Sequence, residues 1–193
     1  MTIWNIEEEQ ITTQLIAHDK AVYDISFSLE QTIFATVGED GSVRIFDTRE
    51  LSNSTIVYET PEGKPLQRVA WNMKNEHLLA VLAADDSNIL LLDKRKPNKN
   101  LDTLSHKDQK VNSIAWSPEC AELICSVGEQ NALIWDINHD TSEQPDSQGG
   151  DKLEPKSEYQ PDGNPSIHNI VWSQANPEWV GICFDEKLQT LRV

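Results

Sequence analysis

A short apolar pattern recurs four times along the 193 residues at a period near 44. Each unit opens on an alternating run that ends in an aromatic or polar pair: Val22 to Ser28, Leu66 to Asn72, Val111 to Pro118 and Ile167 to Ser173. The aromatic anchors Phe27, Trp71, Trp116 and Trp172 are 44, 45 and 56 residues apart, and the later acids Asp47, Asp93 and Asp136 are 46 and 43 apart. The runs last four to eight residues, alternate at period two and are rich in Val, Ile and aromatics. That is the pattern of strands, because a helix buries positions i, i+3 and i+4 over ten or more residues. A repeat unit of this kind cannot bury its apolar faces alone, so neighbouring units must stack.

A period of about 40–45 residues with four strands per unit is that of WD40-type propeller blades. The fold expected is all-β: a WD40-type β-propeller with about four blades present, a partial ring of a seven-bladed one. Phe27, Trp71, Trp116 and Trp172 are expected to fill the gaps between blades, and Glu39-Asp40-Gly41-Ser42 to make a tight turn with Gly41 at positive φ. In a full-pattern blade a His, a Ser or Thr, an Asp and a Trp form a buried hydrogen-bonded chain. The first complete blade offers His18, Thr36 and Asp40, with Phe46 in place of Trp. The second keeps only Asp86. The third offers His106, Ser126 and Trp135, with Gln130 standing where Asp is expected. These histidines are read as structural, since no His-x-His or His-Glu-x-x-His spacing points to a metal.

Thr2 to Ile6 reads as the third strand of a blade and Gln10 to Ala17 as its outer strand, and the last repeat stops after its third strand. Residues 1–193 are therefore expected to form one incomplete propeller domain: either upstream blades are missing, the favoured reading, or the chain closes a small ring with its own N-terminal strand, or it needs a partner. An open arc exposes sheet edges and an inter-blade face. Residues 139–165 break the spacing. They hold four of nine prolines, three of eight glycines, seven acids and two lysines, the composition of a solvated loop insertion.

Sixteen Lys and Arg against 32 Asp and Glu leave a net charge of −16, which opposes direct nucleic-acid binding. The longest apolar stretch, Leu78 to Ala84, is far short of the roughly 18 residues a membrane helix needs. The three cysteines form no C-x-x-C pair, which fits a reducing compartment, and Cys125 and Cys183 sit in apolar runs as expected buried thiols.

Leu15 to Lys20, Val22 to Ile25, Asp40 to Arg44, Ser54 to Ile56, Ala132 to Ile137 and Leu191 to Val193 together resemble one WD40 family. It comprises the animal cullin-4-associated adaptor that scaffolds DYRK-type kinases and the plant Transparent Testa Glabra and light-regulated WD proteins. The likeness covers almost all of residues 12–193 outside the acidic insertion and corresponds to the family's C-terminal part. It implies a non-enzymatic scaffold of the nucleus and cytoplasm, binding kinases or MYB and basic helix-loop-helix regulators, and presenting substrates to a cullin-4 ubiquitin ligase. Asp47-Thr48-Arg49 and Asp93-Lys94-Arg95 repeat an Asp-x-Arg after the third strand of two consecutive blades, the feature that in cullin-4 receptors goes with docking the ligase adaptor. The alternative for these arginines is a bridge within their own blade.

No G-x-S-x-G, Walker loop, G-x-G-x-x-G or paired His/Cys ligand set occurs, so neither a catalytic residue nor a cofactor is expected. The competing readings are a propeller-fold enzyme with acids at the central channel and an incomplete product without independent function.

Overall fold

A computed structural model describes residues 1–107, 109–138 and 153–193. Seventeen strands and no helix occur among these residues, so no helix is long and apolar enough to cross a membrane. Three sheets are complete antiparallel four-stranded units with strands in sequence order. The first holds β3 (Val22–Phe27), β4 (Ile33–Gly38), β5 (Ser42–Asp47) and β6 (Glu50–Glu59). The second holds β7 (Leu66–Trp71), β8 (Leu78–Ala83), β9 (Asn88–Asp93) and β10 (Asn100–Ser105). The third holds β11 (Val111–Trp116), β12 (Leu123–Gly128), β13 (Ala132–Asp136) and β14 (Ser157–Tyr159). They are preceded by a two-stranded sheet of β1 (Thr2–Asn5) and β2 (Gln10–Gln14). They are followed by a three-stranded one of β15 (Ile167–Trp172), β16 (Trp179–Phe184) and β17 (Lys187–Arg192). This is a partial WD40-type β-propeller.

The sheets stack through their first strands: β3 lies against β7, β7 against β11 and β11 against β15. Each interface closes over its own apolar cluster. Ala35, Val37 and Val43 meet Leu66, Val69, Trp71 and Val81 between the first two complete blades. The side chains of β8 face both ways, Leu78, Ala80 and Leu82 toward one neighbouring blade and Leu79, Val81 and Ala83 toward the other. All six residues of Leu78–Ala83 are buried, which is why the sequence there is continuously apolar rather than alternating. Burial of each such Val or Leu side chain contributes about 1.5–3 kcal/mol. Ile124, Leu133 and Trp135 pack on Leu82, Ile89 and Leu91, and Ile170, Trp172 and Ile182 pack on Cys125 and Val127.

Trp71, Trp116 and Trp172 are buried at these interfaces. Trp116 crosses one, its indole N–H donating to the Ala70 carbonyl at 3.0 Å, while Trp71 and Trp172 donate within their own blades to Glu76 and Pro177. Phe27 departs from the expectation: it is 48% exposed, touching Phe34 at a centroid distance of 5.5 Å. The sheet on its side contributes only β1 and β2, so among the described residues no inner strand packs on β3 there. Cys183 departs as well. It is exposed on β16, whereas Cys125 is buried between two blades and its thiol is pushed up to about 12 by that burial.

The Asp40–Ser42 turn is as expected. Gly41 has φ +76°, and a Cβ there would strike the Thr60 side chain and the Lys64 carbonyl. Of the 139–165 insertion, 139–152 lie outside the described residues. Its later part is not all solvated loop: Leu153 is buried, and β14 pairs Ala132 with Tyr159 and Ile134 with Ser157. The third blade takes its outer strand from this polar segment because Tyr159 can pack on the neighbouring apolar cluster.

Candidate functional site

Two kinds of polar site emerge from the blades: buried networks that join strands, and clamped arginines on one rim. The first network centres on His18. Its Nδ1 lies 2.9 Å from Asp40 Oδ1 and 3.0 Å from Ser42 Oγ, and its Nε2 lies 2.8 Å from Thr36 Oγ1. Asp40 also accepts the Ser42 amide and hydroxyl, the Asp19 amide and an Arg44 guanidinium N–H. Burial pushes the Asp40 carboxyl up, but the His18 and Ser42 bonds outweigh it and hold the group at about 2. Gly38 leaves room for the ring, since a Cβ there would lie 3.1 Å from His18 Cγ. Phe46 supplies no donor and stacks on Phe34 instead, at 5.4 Å.

In the third blade His106 Nε2 lies 2.6 Å from Ser126 Oγ, which also accepts the Trp135 indole N–H at 2.7 Å. Here the fourth member differs from the sequence expectation. Gln130 is exposed, and its backbone N–H donates to Gln109 Oε1. The next residue, Asn131, is buried and brings Oδ1 to 3.3 Å from His106 Nδ1. Burial pushes the His106 imidazole down to about 4.

The second blade keeps Asp86 in the Asp40 role but meets a different partner. Lys64 Nζ donates to Asp86 Oδ2 at 2.7 Å from the same 22-residue separation that relates His18 to Asp40. The Asn88 amide closes the turn on Oδ1, as the Ser42 amide does on Asp40. Lys64 had no spacing signal of its own, and only its place in the repeat could have found it.

The two Asp-x-Arg units adopt one geometry. Arg49 donates its backbone N–H to Asp47 Oδ1 at 2.9 Å and curls back so that Nε donates to the same oxygen at 2.9 Å and Nη2 to Oδ2 at 2.5 Å. Arg95 repeats this on Asp93, at 2.9, 3.0 and 2.7 Å. The arginine bonds hold Asp47 and Asp93 at about 2. Each guanidinium spends one edge on its own aspartate and keeps the other toward solvent, the Arg49 and Arg95 side chains being 67% and 59% exposed. Because both follow the third strand of adjacent blades, both lie on the same rim. The third blade has Asn138, which gives Asp136 Oδ1 only its backbone N–H. No group of three or more His, Cys, Asp or Glu side chains among the described residues is arranged to hold a metal.

The family model for the WD domain, G-beta repeat, matches residues 9–47 and 98–136. A DDB1- and CUL4-associated factor 7 homolog of Dictyostelium discoideum is 40% identical over all 193 residues, which correspond to 56% of that relative. A WD repeat-containing protein of Saccharomyces cerevisiae is 30% identical over 99% of this chain and 48% of its own length. The human GATOR2 complex protein WDR59 is 24% identical over 67% of this chain and 13% of its own. The chain thus spans about half the length of the first two relatives. Repeat spacing, blade topology and the two matched segments agree, and the chain belongs to the WD40-repeat proteins.

Proposed function

We propose that this chain is a non-enzymatic interaction scaffold that docks a cullin-4 ligase adaptor through the rim carrying Arg49 and Arg95. The observation that carries the reading is the pair of aspartate-clamped guanidiniums at equivalent places in consecutive blades. A clamped arginine has lost most of its side-chain freedom before a partner arrives, so less entropy is lost when its outer edge meets a carboxylate or carbonyl. The 40% identity to a factor named for association with DDB1 and CUL4 supports the same reading. Kinase scaffolding of the DYRK type and nuclear and cytoplasmic residence belong to this proposal through the family resemblance. MYB and basic helix-loop-helix partners rest on the plant side of that resemblance alone.

The test is a pull-down with purified ligase adaptor. Changing Arg49 and Arg95 together to Ala is expected to weaken recovery about tenfold or more, since charge-assisted bonds are worth about 1.5–3 kcal/mol. Equal recovery of adaptor by the double variant and the unchanged chain overturns the role given to this rim.

A further inference from the structure

Four inner strands converge on a cavity of 260 Å³ lined by Asp24, Arg68, Val69, Ser113, Ile114, Asn169 and Ile170. Its polar residues are structurally equivalent. Each inner strand carries one register shift against its neighbour, between Val22 and Asp24, Leu66 and Arg68, Val111 and Ser113, and Ile167 and Asn169. A bulge re-aims the side chain that follows it. Here the four residues after the bulges, one from each blade, form a single layer on the axis about which the sheets are arrayed.

The layer is biased toward donors, against the net charge of −16. Arg44, Arg49, Arg95 and Arg192 are all ion-paired, whereas Arg68 pairs with no described carboxylate. Asn169 Oδ1 accepts the Ser113 hydroxyl at 2.8 Å and the Ile170 amide at 2.9 Å, which fixes the amide orientation and leaves its NH2 without a described protein acceptor. Asp24 presents little free acceptor, because its oxygens take the Ile25 and Val69 amides, each at 3.0 Å.

We infer that this layer is a binding site for a carboxylate side chain of an acidic peptide, with the Arg68 guanidinium and the Asn169 NH2 as its donors. A planar carboxylate matches the guanidinium fork. The Asp24 charge in the same cavity selects a singly charged carboxylate over a doubly charged phosphate. The site lies on the axis rather than the outer rim, so it stands or falls independently of adaptor docking by Arg49 and Arg95.

Fluorescence anisotropy with a labelled Glu-rich peptide, its Gln counterpart and a phosphoserine counterpart tests the assignment on the full chain at fixed salt. The Glu peptide is expected to bind more tightly than either counterpart. Arg68→Gln is expected to weaken it about tenfold or more, Arg68→Lys less, and Asn169→Asp to weaken it as well. Lys187→Gln, which removes an exposed cation on β17, is expected to leave it unchanged. Thermal melts of Arg68→Gln and Arg68→Lys matching the unchanged chain keep the comparison one of binding, and Arg68→Lys supplies the reading if Arg68→Gln melts early. No preference for the Glu peptide, the same affinity in every Arg68 variant, or an equal loss in Lys187→Gln overturns the assignment.

Discussion

The first and third complete blades solve one problem with different chemistry. Each must hold an imidazole against a hydroxyl of its second strand, and each does so within 2.8 Å. The first blade finishes the chain with a carboxylate surrounded by donors, Asp40 with Ser42, Arg44 and two backbone amides. The third finishes it with a neutral amide, Asn131, and adds an indole donor that the first lacks. A charged network stabilises through electrostatics and is exposed to acid, whereas a neutral one relies on packing and keeps its histidine uncharged. The same backbone therefore carries two different pH sensitivities.

The largest effect should come from the indole. Trp135→Ala removes a fully buried side chain and the Ser126 bond, and should cost about 3–5 kcal/mol. Phe46→Ala should cost about 1 kcal/mol less for want of that hydrogen bond. Urea unfolding of both variants checks the order, and a costlier Phe46 change would break the contrast between the blades.

Acid should separate them next. The His106 imidazole sits at about 4 against an ordinary value of 6.5, so the unfolded chain takes up a proton that the folded one refuses. Stability from this group is full above pH 6.5 and falls by up to about 3 kcal/mol as pH drops toward 4. Asp40 is held at about 2 against 3.8, so its contribution is intact above pH 3.8 and is lost as pH falls from there toward 2. Asn131→Asp would give the third blade the acid of the first. An NMR titration of the His106 ring should then show its pKa raised, and an unmoved pKa would mean that residue 131 does not govern the imidazole.

Asp40→Asn should cost about 1–3 kcal/mol at neutral pH by leaving donors unmatched, and should abolish the loss between pH 3.8 and 2. The smallest effect separates neighbours: Gln130→Ala should change stability by no more than about 0.5 kcal/mol, while Asn131→Ala should cost about 1–2 kcal/mol. Chemical denaturation of the two single variants measures that difference directly.

Much of the fold was legible in the repeat. Alternation at period two marked the strands, the Asp-Gly pair at 40 and 41 marked a turn, and the 44-residue spacing implied stacked sheets. The Asp-x-Arg units were also legible, because an arginine two residues after an aspartate in a turn can reach it without help from the rest of the chain. Asn131 was harder. Gln130 occupies the expected position in the linear pattern, but the shorter turn in this blade carries its side chain to solvent and sends the next residue inward.

What the sequence by itself determined is local: where strands start and stop, which turns are tight, and that units of this length must stack to bury their apolar faces. The tertiary structure decided which side chains meet across those units. It put Lys64 opposite Asp86, left Phe27 and Cys183 exposed, and brought Asp24, Arg68, Ser113 and Asn169 into one layer. The physical reason is range. Alternation and turn chemistry act over a few residues and can be read along the chain, whereas a contact between residues about 45 apart depends on bulges and blade packing that no linear spacing encodes.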